Sequence, residues 1–359
     1  MNYTNQTQFL FDENFLFKIG SSWALDSVYA LIISPCGLIG FVLNLIAFAT
    51  LLNIKIKESK LYDYLKLYSF SSACICIILS LTLFGHSPKY FRDFTHPIVK
   101  FYRCRIFGYL MMCLFFFNNL LDIFVSLDRI SIFTTKISFY RKVNPYKLGL
   151  FLSIASLTLN SPLVFGFDIM TDEAFFTSNE ITYCEQNKFG KSRIGLIINM
   201  IVIIIRDILT LILEILASLI IVYYYKRYWK NRSFIHIHFN SEFGPNSNSN
   251  SNSAKKDSTI RQNLKKGKKI LLMTLILSLL SIITHLIVAI AYVFIVNLIF
   301  DNRALFYSIR CFATFSLLVK NFSNIFIFYH FNSNFQKKLF KLKKQIKNKL
   351  KCKCFLNDL

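Results

Sequence analysis

Seven stretches of the chain stay apolar long enough to cross a hydrocarbon layer, which takes roughly 20 mostly apolar residues in a helix. They fall at 27–52, 62–84, 104–133, 147–167, 194–225, 270–299 and 305–331. The pattern predicts an all-α membrane protein, a seven-transmembrane helix bundle preceded by an N-terminal segment, 1–26. Between the fifth and sixth spans lies a polar stretch, 226–269, in which Asn and Ser alternate over 246–253 after Gly244-Pro245; it reads as a flexible loop. After the seventh span, 332–359 spaces Phe335, Leu339, Phe340, Leu342, Ile346 and Leu350 among lysines. That is an amphipathic helix suited to lying in a headgroup layer, followed by a basic tail.

Of the 359 residues, 54% are hydrophobic and 17% charged, against roughly 45–50% and about 25% in soluble proteins. A soluble enzyme and a disordered chain are both excluded. The net charge of +23 then locates the aqueous faces. Lys55, Lys57 and Lys60, the basic residues of 226–269, and the lysines from Lys337 to Lys353 fall on one side, with Lys89, Arg92, Lys100, Arg103 and Arg105 a local exception on the other. Basic loops stay in the cytoplasm, so the reading is a multi-pass plasma-membrane protein with an extracellular N-terminus and a cytoplasmic C-terminus. The acceptor triplets at Asn2 and Asn5 fit glycosylation on the outer side, and residues 1–20 lack the pattern of a cleavable leader. The basic face suits anionic inner-leaflet lipids, with Cys352 and Cys354 candidates for acylation. No folded basic domain supports nucleic-acid binding.

Charges inside the spans are the next constraint. Asp122, Arg206, Asp207, Glu214 and Lys320 each cost several kcal/mol in lipid unless paired or wet. Asp207 and Glu214, seven residues apart, share a helix face. His285 reads as a hydrogen-bonded core histidine. Cys36, Cys74, Cys76, Cys113 and Cys311 read as small core residues.

Cys104 and the run Ser126-Leu127-Asp128-Arg129-Ile130 occupy opposite ends of the third span, with 25 residues from Cys104 to Arg129. Gly40 and Asn44 form Gly-x-x-x-Asn in the first span, and Asn324 precedes Phe335 by 11 residues. Together with the span count and orientation, these features resemble the rhodopsin-like G-protein-coupled receptors, whose half-cystine, Asp-Arg-Tyr motif and Asn-Pro-x-x-Tyr motif keep such intervals. The chain looks like a divergent, invertebrate-type member. The resemblance implies a Cys104–Cys184 disulfide over the outer mouth and an Asp128–Arg129 pair that releases its arginine to a heterotrimeric G protein. It also implies switch positions at Asn324 and Phe328, and a polar network including Asn44, Ser71 and Asn118.

Several family positions are altered. Ile130 replaces the Tyr, and 324–328 lacks both Pro and Tyr; Tyr329 sits one residue, about 100° of helix rotation, from the expected place. Ser71 stands where the family has a sodium-binding Asp, so control by sodium does not carry over. The sixth span lacks the Cys-Trp-x-Pro toggle, the fifth its Pro and the fourth its Trp, although Pro162 fits. Loss of the carboxylate and gain of Lys320 suggest that its ammonium partly occupies the sodium region beside Ser71 and Asn118; a buried ion pair that fixes helix register is the equal alternative.

The resemblance places a ligand pocket at the outer ends, with Met111, Met112, Phe115, Tyr292, Tyr307 and Arg310 as lining residues. Met111 stands where aminergic receptors carry an Asp, so the expected ligand is a peptide or chemosensory small molecule, not a biogenic amine. No cofactor is implied and no enzyme: His236 and His238 form a loop pair without a third metal ligand. The competing reading is a polytopic transporter or channel using the intramembrane charges, against which stands the absence of an internal hydropathy repeat.

Overall fold

With no water inside a bilayer, each backbone N–H and C=O must be satisfied within its own segment, so long apolar runs become helices. The computed structural model describes residues 28–54, 60–81, 101, 106–133, 143–173, 180–242, 251–298 and 303–356. Asn2, Asn5 and Cys104 lie outside them. So do the side chains of Cys184, Tyr292, Tyr307, Arg310, Cys352 and Cys354, whose backbones are described.

Helix α1, Ser34–Leu52, opens on Pro35 after a π-helical turn, Tyr29–Ile33. It is followed by α2, Leu61–Ser80, α3, Gly108–Phe133, and α4, Pro145–Phe165. The Asn144 side chain caps α4 by accepting from the Tyr146 amide at 2.9 Å. Helix α5 is one continuous rod made of Arg193–Ile203, a π-helical segment Ile204–Leu209, and Thr210–Glu242. Then come α6, Ser251–Leu298, α7, Arg303–Phe331, and α8, Ser333–Leu356.

The helices close a ring: α1 packs on α2 and α7, α6 on α5 and α7, while α3 touches α2, α4, α5 and α6. Six of the helices are long and apolar enough to cross a membrane by length and composition. The remaining bundle member, α2, mixes Asp63, Lys66, Ser69, Ser71 and Ser72 into its apolar run. It tolerates them because its serines are buried against neighbouring helices. On the outside, α5 exposes Ile194, Met200, Ile208, Ile212 and Leu219, and α4 exposes Leu150, Phe151 and Ile154. Such a continuous apolar surface belongs in lipid, and the chain is a multi-pass membrane protein.

One sequence expectation is corrected. The stretch 226–269 is not simply a loop, because α5 runs into it to Glu242 and α6 starts at Ser251. A formed helix extends at little cost through good formers, and Lys, Arg, Gln and Ala supply them before the sixth span. The all-α bundle also carries one short hairpin between α4 and α5. Strands β1, Phe167–Glu173, and β2, Glu180–Gln186, pair antiparallel, with Ile169 opposite Cys184 and Thr171 opposite Thr182. β-branched residues at these paired positions favour a ladder, and Asn187 ties its base to the end of α4 through hydrogen bonds to Gly166 O and Phe165 O.

The interior is layered. An inner apolar cluster joins Ala47, Leu51, Tyr64, Leu65, Phe117, Leu121, Met273, Leu277 and Phe328. An outer cluster joins Ile33, Ile75, Leu79, Met111, Phe115, Leu317 and Leu318. Ser71 and Ser72 of α2 and Lys320, Asn321 and Asn324 of α7 fall between these two in sequence, Ser281 and His285 of α6 follow Leu277, and Asn118, Asn119 and Asp122 of α3 interleave with the inner cluster; together they form a polar layer across the bundle.

Close approach of α1 and α2 depends on a missing side chain. A Cβ on Gly37 would lie 2.8 Å from the Ser80 amide nitrogen and 2.9 Å from the Cys76 carbonyl oxygen, and backbone cannot swing aside. Gly37→Ala should destabilise the purified protein by about 1–3 kcal/mol, seen as a lower thermal midpoint. Gly108→Ala, which meets nothing within 4 Å, should be neutral or stabilising by up to about 1 kcal/mol.

Candidate functional site

The polar layer is built around three buried carboxylates and two buried cations. On α5, Arg206 grips its neighbour Asp207 with both prongs of the guanidinium, Nε to Oδ1 at 2.9 Å and Nη2 to Oδ2 at 2.7 Å. Its Nη1 donates to Asn160 Oδ1 on α4 at 3.3 Å. Adjacent residues on an α-helix point about 100° apart. Here both are buried because they sit in the π-helical segment, whose wider turn changes the facing of the helix. The Thr210 hydroxyl donates to the Arg206 carbonyl within the turn.

Asp207 and Glu214 both face α6, as their spacing predicts. His285 lies between them, with Nε2 3.9 Å from Asp207 Oδ1 and Nδ1 3.5 Å from Glu214 Oε2. It is fully buried, and the edge of its ring meets Phe115 at 5.4 Å between centroids. Ser281, one turn before His285, donates to Glu214 Oε1 at 3.2 Å and accepts from Lys320 Nζ of α7 at 2.8 Å. Lys320 also donates to Asn119 Oδ1 and pairs with Asp122 Oδ2 on α3, both at 3.2 Å. The Tyr68 and Phe115 rings flank its ammonium at 6.0 and 5.8 Å. From Asn160 to Asp122 the contacts cross α4, α5, α6, α7 and α3.

This corrects the expected surroundings of Lys320. Its partners are Asn119, Asp122 and Ser281, not Ser71 and Asn118. Asn118 turns instead to Ser72, which accepts from Asn118 Nδ2 at 3.4 Å and from Asn324 Nδ2 at 3.1 Å. The Ser71 hydroxyl is buried without a hydrogen-bond partner among the described residues. Asn44 donates to Gly40 O at 2.8 Å and to Asn321 O at 3.0 Å, joining α1 to α7.

At the inner end of α3, Arg129 Nη2 meets Asp128 Oδ2 at 2.5 Å, with both side chains nearly buried. The small cluster Ile130, Ile221 and Leu271 holds α3, α5 and α6 together there. Asp63 accepts from Lys66 at 2.8 Å and from Tyr146 at 3.1 Å, linking α2 to α4. Phe328 is buried against Phe335, centroids 5.8 Å apart. Tyr329 turns outward beside Phe340, so it does not stand in for the missing motif tyrosine. Asn332 Oδ1 caps α8 by accepting from the amides of Asn334 and Phe335, both at 3.1 Å, and also accepts from Tyr62 at 3.2 Å.

Of the outer residues read as pocket lining, Met111 and Phe115 are buried in the outer apolar cluster, and Met112 is half-buried. The residues that sequence reasoning missed are Asn119, Asn160, Ser281 and Ser72, with His285 underrated. The spacing of Ser281 and His285 on one face of an otherwise apolar helix was the available signal.

Removing one partner of a buried ion pair leaves the other uncompensated. Lys320→Met should therefore destabilise the protein by about 3–5 kcal/mol, whereas Lys320→Met with Asp122→Asn should regain much of that. Thermal unfolding of the four members of the cycle measures it, and a double variant no more stable than Lys320→Met would deny the coupling.

No protein-family model and no curated protein matches the chain. Among solved structures, the crystal structure of squid rhodopsin superimposes with a TM-score of 0.64 at 12% sequence identity, covering 89% of this chain and 87% of that one. At that identity the likeness speaks for the fold, and the fold is the rhodopsin-like seven-helix bundle.

Proposed function

We propose that the chain is a G-protein-coupled receptor that passes the binding of an extracellular peptide or chemosensory small molecule to a heterotrimeric G protein. The observation that carries this reading is the Asp128–Arg129 pair at the end of α3, beside a small apolar cluster that joins α3 to α5 and α6. An arginine held by its own neighbour at the edge of the bundle can exchange partners without entering hydrocarbon. Separation of the α5 and α6 ends would free it for a docking partner. The rhodopsin-like fold supports the same reading.

Signalling then needs no covalent chemistry, only a ligand with different affinity for two packings of the helices. Asn324 and Phe328 are the proposed relay between the polar layer and the inner end, since Asn324 bonds Ser72 and Phe328 packs on Phe335. The proposed topology places Asn2 and Asn5 outside and α8 inside, its lysines against anionic lipid and Cys352 and Cys354 available for acylation. A Cys104–Cys184 bridge would fasten the β-hairpin over the outer mouth.

A screen of peptides and small molecules in cells, read by cytosolic calcium and cyclic nucleotide, identifies an agonist. With that agonist, Arg129→Ala should reduce nucleotide exchange on the G protein to background while surface expression is unchanged. Exchange at the wild-type level in this variant would remove the role assigned to Arg129.

A further inference from the structure

Among the described residues, the buried charges away from the Asp128–Arg129 pair do not balance. Asp122, Asp207 and Glu214 are three carboxylates, and Arg206 and Lys320 are two cations. A net charge in a dry interior is costly, and burial favours protonation states that cancel it. Two of the carboxylates converge on His285, one at each ring nitrogen. A neutral imidazole has one N–H and one lone pair, so with both acids ionised one nitrogen would turn its lone pair on a carboxylate. Glu214 Oε2 and His285 Nε2 are also buried atoms that make no hydrogen bond of normal geometry. All three observations call for one proton more than ordinary side-chain ionisation supplies.

We propose that Glu214 and His285 form a proton-binding site inside the bundle, holding one proton between α5 and α6. Two placements are available, and only the second gives Asn119 Nδ2, 3.4 Å from Nδ1, an acceptor there. As imidazolium, His285 donates to both Asp207 and Glu214. With the proton on Glu214 instead, Oε2 donates to Nδ1, which also accepts from Asn119 Nδ2 at 3.4 Å, and Nε2–H points to Asp207. Either placement brings the six-residue set to neutrality. The groups that face the site are Arg206, Asp207 and Glu214 from α5, Asn119 and Asp122 from α3, and Lys320 from α7 by way of Ser281 and Asn119. Phenols and thiols ordinarily ionise only above neutral pH, so Tyr68 of α2, whose ring flanks the Lys320 ammonium, and the buried Cys113 of α3 add no charge to the set.

The site belongs to two helices, so drawing α6 away from α5 dismantles it and returns the proton to water. Acid therefore favours the packed arrangement. Wherever only that arrangement holds the proton, each unit of rising pH weakens it by about tenfold. This inference is independent of G-protein coupling and is tested without it.

The test uses the full chain in lipid nanodiscs at about pH 8, where an ordinary imidazole (about 6.5) and an ordinary Glu carboxyl (about 4.3) are both unprotonated. Nitrogen NMR of the labelled histidines, with His285→Gln subtracted, reads the imidazole. Infrared spectra with Glu214→Gln subtracted read the carbonyl band of a protonated acid. Should His285→Gln not fold, replacing the other five histidines by Asn isolates His285 with the network whole; isotope-edited infrared spectra of Glu-labelled wild type serve likewise for Glu214. A doubly protonated His285, or a protonated acid lost with Glu214, is the expected result. A neutral His285 together with an ionised Glu214 overturns the proposal.

Discussion

A charge buried among apolar side chains has to meet its opposite, and in this bundle that requirement reaches across most of the helices. Apolar packing alone leaves a lipid-embedded helix free to rotate, since one greasy face costs much the same as another against acyl chains. The polar layer removes that freedom. Lys320 can satisfy Asp122 and Ser281 only at one rotation of α7 relative to α3 and α6. Arg206 fixes α5 against α4 through Asn160, and Asn44 fixes α1 against α7. The apolar clusters above and below fill space around a geometry that the charges specify.

What the sequence reveals and what it conceals follow from the same physics. Span number and order are legible because hydropathy sums over about twenty residues and a single charge does not erase it. That Asp207 and Glu214 share a face is legible because seven residues make nearly two turns. Rotation to within one residue is not. Asn118 and Asn119 lie side by side between three phenylalanines and two leucines, Ser71 and Ser72 are adjacent serines, and in each pair only the packed bundle decides which partner each meets. The π-helical turn in α5 has no Gly or Pro to announce it, so the inward facing of Arg206 beside Asp207 could not be read in advance. The hairpin and the long extensions of α5 and α6 were hidden for a simpler reason: hydropathy says nothing about polar segments.

A rhodopsin-like fold at 12% identity is less surprising once the layers are separated. Lipid-facing positions accept almost any apolar residue, and the inner and outer clusters demand volume rather than identity. The polar layer makes a different demand, for matched charges and hydrogen-bond partners. There, a change in one residue must be answered on another helix, as Lys320 on α7 is answered by Asp122 on α3. Replacements of this kind travel as sets. A chain can therefore keep the architecture while exchanging its buried polar groups, and single-residue motifs become poor guides to how such a bundle is held together.

The distribution of cohesion through the bundle shows where movement is easiest. Around α1, α2, α3 and α7 the inner half is a continuous apolar core that reaches Phe335 of α8 and takes in Met273 and Leu277 of α6. Among the described residues, α5 joins that end of the bundle through one small cluster, Ile221 with Ile130 of α3 and Leu271 of α6, and farther along it meets α6 through Glu214–Ser281 and the contacts of His285. Dispersion contacts are lost gradually as surfaces part, whereas a charged contact in a low-dielectric interior is either paired or strongly unfavourable. The α5–α6 pair is thus held by few apolar contacts and by interactions with two distinct arrangements. That combination gives a helix bundle two states instead of a continuum of looser packings.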